Sequence, residues 1–176
     1  MLRNNNIEYD KIIATLEMKP NSRLFEIGYG PGYGIRKILS EFNCTITGID
    51  FSELMYKQAM NRNAKFIEKG RAELHHGDFL GTNKSFTNID LVYCLNVVYF
   101  WDDLVIPFTK IKNMLNPDGA FCFYMVGSKL MNKLNVSDNG IYNKYDIEDA
   151  STALEKSGFK NITYYYDDGY FVRAEV

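Results

Sequence analysis

The chain has 176 residues, 46% of them hydrophobic and 24% charged, with a formal net charge of −2. That length suits one domain with a sizeable core, and the composition excludes disordered and fibrous classes. Lys and Arg are scattered rather than clustered, which argues against a nucleic-acid or anionic-membrane surface, because phosphate binding draws on concentrated positive charge.

In chain order, the apolar positions Ile7, Ile12, Ile13 and Leu16 predict an amphipathic helix over 7–18, stopped by Pro20. Residues 23–27 read as a first strand running into a glycine-rich turn, 34–42 as a helix, and 44–49 as a second strand ending at Asp50. Ser52 is the expected N-cap of a long helix reaching residue 68, which Gly70 ends. A short strand over 72–76 and a polar loop through Asn88 follow. The nearly continuous apolar run 89–95 predicts a strand buried on both faces.

A helix over 103–115, a turn at Asn116-Pro117-Asp118-Gly119 and a strand over 120–126 come next. Residues 127–143, rich in Gly, Ser, Asn and Lys, read as a loop or lid. Asp146 caps a helix to Ser157, with Gly158 just past its end. Strands over 162–166 and 170–176 close the chain. Asp167-Asp168-Gly169 between them is too short for a crossover helix, so that pair should be antiparallel.

Alternating strands and helices are the signature of βαβ units. The expectation is one α/β domain over 1–176, with residues 1–20 as an N-terminal helix or cap. Cys44, Cys94 and Cys122 form no CxxC pair, and His75 and His76 are adjacent, so no metal-ligand spacing occurs and no metal is expected. Unpaired thiols suit a reducing compartment. The polar first ten residues and the lack of any run of 18 apolar residues predict neither a signal peptide nor a membrane span, and so a cytoplasmic protein.

The sharpest signal is Leu24-Phe25-Glu26-Ile27-Gly28-Tyr29-Gly30-Pro31-Gly32-Tyr33-Gly34. Strand, glycine turn and helix in that order place backbone beside a ligand at the carboxyl end of the first strand. The dinucleotide pattern GxGxxG fails in both frames, at Tyr33 and at Ile35, and the phosphate-binding GxxxxGK[ST] is absent. A dehydrogenase is therefore the disfavoured reading. No Lys or Arg lies in the turn, whereas Glu26, Asp50 and Asp78 are acids, as a cationic ligand would require.

The ExGxGxG motif, the Gly48-Ile49-Asp50-Phe51-Ser52 strand end and the Asn96-x-x-x-Phe100-Trp101 segment resemble the class I S-adenosylmethionine-dependent methyltransferases, specifically small stand-alone members. The resemblance covers the chain from about Arg23 onward. It implies a doubly wound, Rossmann-like sheet of seven strands, mostly parallel with an antiparallel last strand and helices on both faces. It also implies S-adenosylmethionine as cofactor and in-line methyl transfer to an O, N, S or C nucleophile.

Carried onto this sequence, Glu26 would face the amino end of the cofactor's methionine, with Gly28, Tyr29, Gly30 and Gly32 wrapping it by backbone. Asp50 would take both ribose hydroxyls, since one acceptor-only carboxylate can serve two donors. Phe51 and Met55 would flank the adenine, Asp78 and Phe79 would meet its amino group, and Asn96 would lie near the transferred methyl. Taken singly, Asp50 could be a helix N-terminal charge and Asp78 a turn former. Their arrival in order after successive strands favours the site.

On the substrate side, Tyr9, Tyr33, Tyr99 and Trp101 could wall an apolar pocket or stack on a planar substrate, with core packing as the alternative for Phe100 and Trp101. No general base suggests itself. The expected partner is a small-molecule substrate; a protein that completes the site, or a second copy, remains open. A catalytically silent or partner-dependent cofactor-binding module is the standing alternative.

Overall fold

The computed structural model describes residues 6–133 and 142–176. The elements run α1 (Asn6–Leu16), β1 (Arg23–Ile27), α2 (Tyr33–Glu41), β2 (Thr45–Asp50), α3 (Glu53–Glu68), β3 (Ala72–His76) and β4 (Ile89–Leu95), then α4 (Val105–Met114), β5 (Leu115–Met125), α5 (Ser128–Lys133), α6 (Ile147–Lys156), β6 (Lys160–Tyr166) and β7 (Tyr170–Glu175). The seven strands form one sheet in the order β3-β2-β1-β4-β5-β7-β6. β1 pairs in parallel with β2 and β4, while β7 runs antiparallel to both β5 and β6. This is the doubly wound, Rossmann-like arrangement that the motif resemblance implied.

Two apolar layers sandwich the sheet. One joins α1, α2 and α3 through Tyr9, Leu16, Ile35, Ile38 and Ala59 to Leu24, Tyr93 and Phe171. The other joins α4 and α6 through Phe108, Ile111, Ala150 and Leu154 to Phe25, Val92, Phe121 and Phe123. Strands covered on both faces must be apolar along their length, and β4 has six buried residues in its seven. Cys44, Cys94 and Cys122 are buried, free thiols within this packing.

Local chemistry explains the element ends. Ser52 caps α3 by accepting the Met55 N–H at 3.4 Å. Asp146 and Asp149 form a reciprocal capping box on α6, with the Asp146 N–H donated to Asp149 at 2.9 Å.

Three details differ from the sequence expectations. The turn at residues 116–119 is looped out inside β5 rather than preceding it: Ile89 pairs with Leu115, but Leu91 pairs with Ala120. Asp90 anchors that bulge by accepting from Asn116 Nδ2 at 2.7 Å. α4 begins at Val105 rather than at 103, because Asp103 accepts the Val105 and Ile106 N–H groups at 2.6 and 3.1 Å. The expected loop or lid over 127–143 opens with a helix, α5, whose first residue is held by Asp146; residues 134–141 lie outside the described residues.

α1 is also less a cap than a layer of the core. Its Ile12 and Leu16 are fully buried, and it lies across β5 and β7. No helix of the described residues is long and apolar enough to cross a membrane.

Candidate functional site

The carboxyl ends of β1, β2, β3 and β4 surround a cavity of about 400 Å³. Open α/β sheets bind ligands at this end, and the size lies within the range of small-molecule sites. Of the predicted site residues, Gly28, Asp50, Phe51, Met55, Asp78, Phe79, Asn96 and Trp101 line it together. Phe100, for which core packing was the alternative, lines it too and is exposed; Ile27, Ile49, Ser52, Gly77, Leu95 and Val97 complete the lining and were missed. Position at or just past a strand's carboxyl end could have flagged most of these. Among the described residues, the lining contains no Lys, Arg or His.

Gly28 shows why the turn needs glycine. Its φ is +71°, and a Cβ there would come within 2.6 Å of Val97 Cγ2. The bare backbone lets the β1 turn approach the segment after β4 and leaves the floor of the cavity open. Gly34 serves packing instead: a Cβ would sit 2.0 Å from the Tyr9 ring.

Asp50 ends β2 and is 6% exposed. Its Oδ2 accepts the Gly30 N–H at 2.7 Å and its Oδ1 accepts the Ser52 N–H at 2.8 Å. A carboxylate has about four lone-pair sites, so roughly half of its acceptor capacity is left for a ligand. Asp78 likewise accepts backbone N–H groups, from Leu80 at 3.3 Å and Gly81 at 2.8 Å, while still lining the cavity. It is a turn former and a site residue at once.

Asn96 follows β4 in the left-handed region, φ +58°, with its N–H donated to the Tyr124 carbonyl at 3.1 Å. Two rings of the lining, Phe51 and Phe100, are exposed, and a third exposed ring, Tyr142, adjoins them. Phe51 lies 6.1 Å from Phe100, and Phe100 lies 5.2 Å from Tyr142.

The remaining predicted residues stand outside the lining. Glu26 is 1% exposed and lies behind the turn, with Oε1 accepting the Tyr9 hydroxyl at 3.0 Å and Oε2 the Tyr93 hydroxyl at 2.8 Å. Burial pushes its carboxyl up to about 7 against the opposing pull of the two tyrosine hydrogen bonds. Tyr9 is therefore a partner of Glu26 and not a substrate wall.

Tyr29 is fully buried; its ring fills the space beside Gly48 and its hydroxyl donates to the His75 carbonyl at 2.8 Å. Its side chain belongs to the core. Gly30 and Gly32 shape the turn from behind; Gly30 offers its N–H to Asp50.

Tyr33 is not part of the lining and is exposed, with the Arg62 guanidinium 3.6 Å from its ring centre. Tyr99 is 5% exposed and sits in the core, where its hydroxyl accepts the Val126 N–H and approaches Asn96 Oδ1 at 3.5 Å. Burial drives its pKa well above the ordinary phenol value. The Arg62 contact of Tyr33 and the burial of Tyr99 depend on residues that a linear reading of loop positions does not reveal.

Trp101, for which core packing was the alternative, does both: it is 5% exposed, packs edge-on against Phe108, and lines the cavity. Among the described residues, no three His, Cys, Asp or Glu side chains gather as a metal-ligating group.

A model of the methyltransferase domain family matches residues 24–119, from β1 to the bulge of β5. The chain is 25% identical over 118 residues to the 24-methylenesterol C-methyltransferase 2 of Oryza sativa subsp. japonica, covering 67% of this chain and 32% of that protein. It is 26% identical over 151 residues to phosphoethanolamine N-methyltransferase 2 of Caenorhabditis elegans, covering 83% of this chain and 34% of that protein.

The solved phosphoethanolamine N-methyltransferase 2 of Haemonchus contortus, in complex with S-adenosyl-L-methionine, superposes with a TM-score of 0.82 at 19% identity, over 97% of this chain and 52% of that one. The chain thus spans about a third of the length of these curated relatives. Matched over more than half of its own residues, it belongs to the methyltransferase domain family.

Proposed function

We propose that this chain binds S-adenosylmethionine in the cavity at the ends of β1–β4 and transfers the cofactor's methyl group to a small-molecule nucleophile. The observation that carries the reading is Asp50. It is a buried carboxylate fixed by two backbone donors, facing a cavity with no cation among the described residues of its lining. That surface repels a pyrophosphate and suits a neutral ribose and a sulfonium. Relatives that act on a sterol and on phosphoethanolamine support a small-molecule acceptor.

In this reading Asp50 takes the ribose hydroxyls on its spare lone pairs. Phe51, Met55 and Phe79 enclose the adenine, Asp78 accepts from its amino group, and the Gly28 backbone supports the methionine part. When bound, the cofactor supplies an electrophilic methyl group on a sulfonium. Asn96 and Val97 border the place where acceptor and methyl must meet. Leu95, Phe100 and Trp101 exclude water from it.

Holding two reactants at attack distance can itself lower the barrier by about 7–11 kcal/mol, so a dedicated base is not obligatory. Tyr9 and Tyr93 hold the Glu26 carboxyl outside the cavity lining. Three unpaired buried thiols fit a reducing, cytoplasmic setting.

Calorimetry with S-adenosylmethionine, S-adenosylhomocysteine and NAD tests the reading. Both sulfur cofactors should bind, and at about 100 Kd each should add about 2.7 kcal/mol to stability. Binding of NAD alone would overturn it.

A further inference from the structure

Among the described residues the sheet ends at β6, and that edge lacks the usual protection. Natural edge strands carry inward charges, prolines or bulges that keep other chains from pairing with them. The opposite edge, β3, follows the rule: it is five residues long, carries the exposed charge of Glu73, and lies under α3. β6 has a bulge only at its start, around Asn161 with φ +46°. From Ile162 to Tyr166 it has no charge and no proline. Tyr164, Tyr165 and Tyr166 are 53%, 45% and 60% exposed.

The backbone pattern says which groups face outward. The Asp167 N–H donates to the Gly169 carbonyl while Tyr166 stands opposite Tyr170, which makes that pair a non-hydrogen-bonded one. By alternation, Tyr165 exchanges its backbone bonds with Phe171 on β7. Tyr164 and Tyr166, and Ile162 by continuation, turn theirs to the open edge.

We propose that β6 is a self-complementary edge, through which two copies of this chain pair antiparallel about a two-fold axis at Tyr164 and join their sheets. An antiparallel ladder sets outward-facing residues opposite one another. With Tyr164 on the axis this condition is met throughout, since Ile162 falls opposite Tyr166 of the second copy. The same register sets Thr163 opposite Tyr165.

These are aromatic and β-branched cross-strand pairs of the kind that stabilise sheets. The charges agree. Lys160 starts the strand and Asp168 lies in the turn past its other end, so antiparallel pairing brings each towards the opposite charge of the second copy, twice over by symmetry. Competing partners for these charges are already engaged: Asp167 holds Lys11 at 2.6 Å, and Glu175 accepts from Asn161 and Arg173. A unit with opposite charges at its two ends and none between is complementary to itself, which is why a second copy is the occupant.

Sedimentation velocity over a wide range of protein concentration is the first test. The wild-type chain should pass from monomer to dimer as concentration rises. Tyr164→Lys puts two like charges on the axis and should raise the dimer dissociation constant by about tenfold or more. Its side chain is exposed, so an unchanged melting temperature would confirm that the fold is intact.

The second test reads the register. Directly opposed residues of a hydrogen-bonded antiparallel pair lie about 5.5 Å apart at Cα, within disulfide reach. Tyr164→Cys should therefore cross-link to itself on mild oxidation, whereas Tyr166→Cys should not; the three native thiols are buried and do not compete. A chain that stays monomeric at every concentration overturns the proposal. So does a dimer that Tyr164→Lys leaves unweakened, or one that cross-links through Tyr166→Cys instead.

Discussion

The ends of β1 and β2 each carry one buried carboxylate, and their surroundings are built in opposite ways. Glu26 lies behind the glycine turn among apolar side chains, with a tyrosine hydroxyl on each oxygen. Asp50 lies at the cavity wall, with a backbone N–H on each oxygen. Burial dominates at Glu26 and moves its carboxyl to about 7, where it exchanges its proton near neutrality. The contrast teaches that burial alone does not make a ligand. What counts is whether spare lone pairs face open space.

The largest test of this contrast is pH. The Glu26 carboxyl is raised from 4.5 to about 7, so the folded state binds more protons than the unfolded one between those values. Its contribution to stability is present below about pH 4.5 and is lost as pH rises to about 7, by roughly 3 kcal/mol. Urea unfolding of wild type and Glu26→Gln across that range should show the difference between the two curves changing by this amount. A constant difference would mean that Glu26 is ionised throughout.

Asp50 should respond through ligand affinity. Asp50→Ala removes the charged acceptor and should weaken S-adenosylhomocysteine binding by about 1.5–3 kcal/mol in calorimetry. It should also lower the melting temperature, because the Gly30 and Ser52 N–H groups lose their partner. Native affinity in the variant would assign the ribose hydroxyls to another residue.

Tyr9→Phe sharpens the comparison from the other side. A hydrogen bond to a charged group outweighs one to a neutral group by about 1 kcal/mol. The variant should therefore lose about that much more stability at a pH near 8 than near 5 in paired denaturation curves. Equal losses at both would show that Tyr9 acts only by packing against Gly34.

The smallest effect belongs to Tyr33→Ala. Its ring lies under Arg62 and is not part of the cavity lining, so S-adenosylhomocysteine affinity should stay within about 0.5 kcal/mol of wild type. A larger loss would return Tyr33 to the mouth of the site.

Much was legible from local pattern. The glycine turn, Asp50 as the last residue of β2, Ser52 as the α3 cap, the apolar run of β4 and the antiparallel final pair all follow from spacing and turn length. The family resemblance then supplied the order of the site, and the cavity gathers Gly28, Asp50, Phe51, Met55, Asp78, Phe79 and Asn96. The misplaced aromatic residues share one cause. Tyr9 on the leading helix and Tyr33 and Tyr99 in loop positions near the site were expected to wall a pocket, but which way an aromatic ring points depends on residues distant in sequence.

Sequence by itself determined the elements, their order and the class of the site, because hydrophobic period, caps and glycine turns act over a few residues. Only the tertiary structure decided that Tyr9 and Tyr93, 84 positions apart, would share Glu26. It alone showed that Asp50 would be propped by the β1 turn, that Tyr99 would enter the core, and that β6 would be left as a bare edge. Each of these depends on which strands become neighbours, and long-range packing sets that.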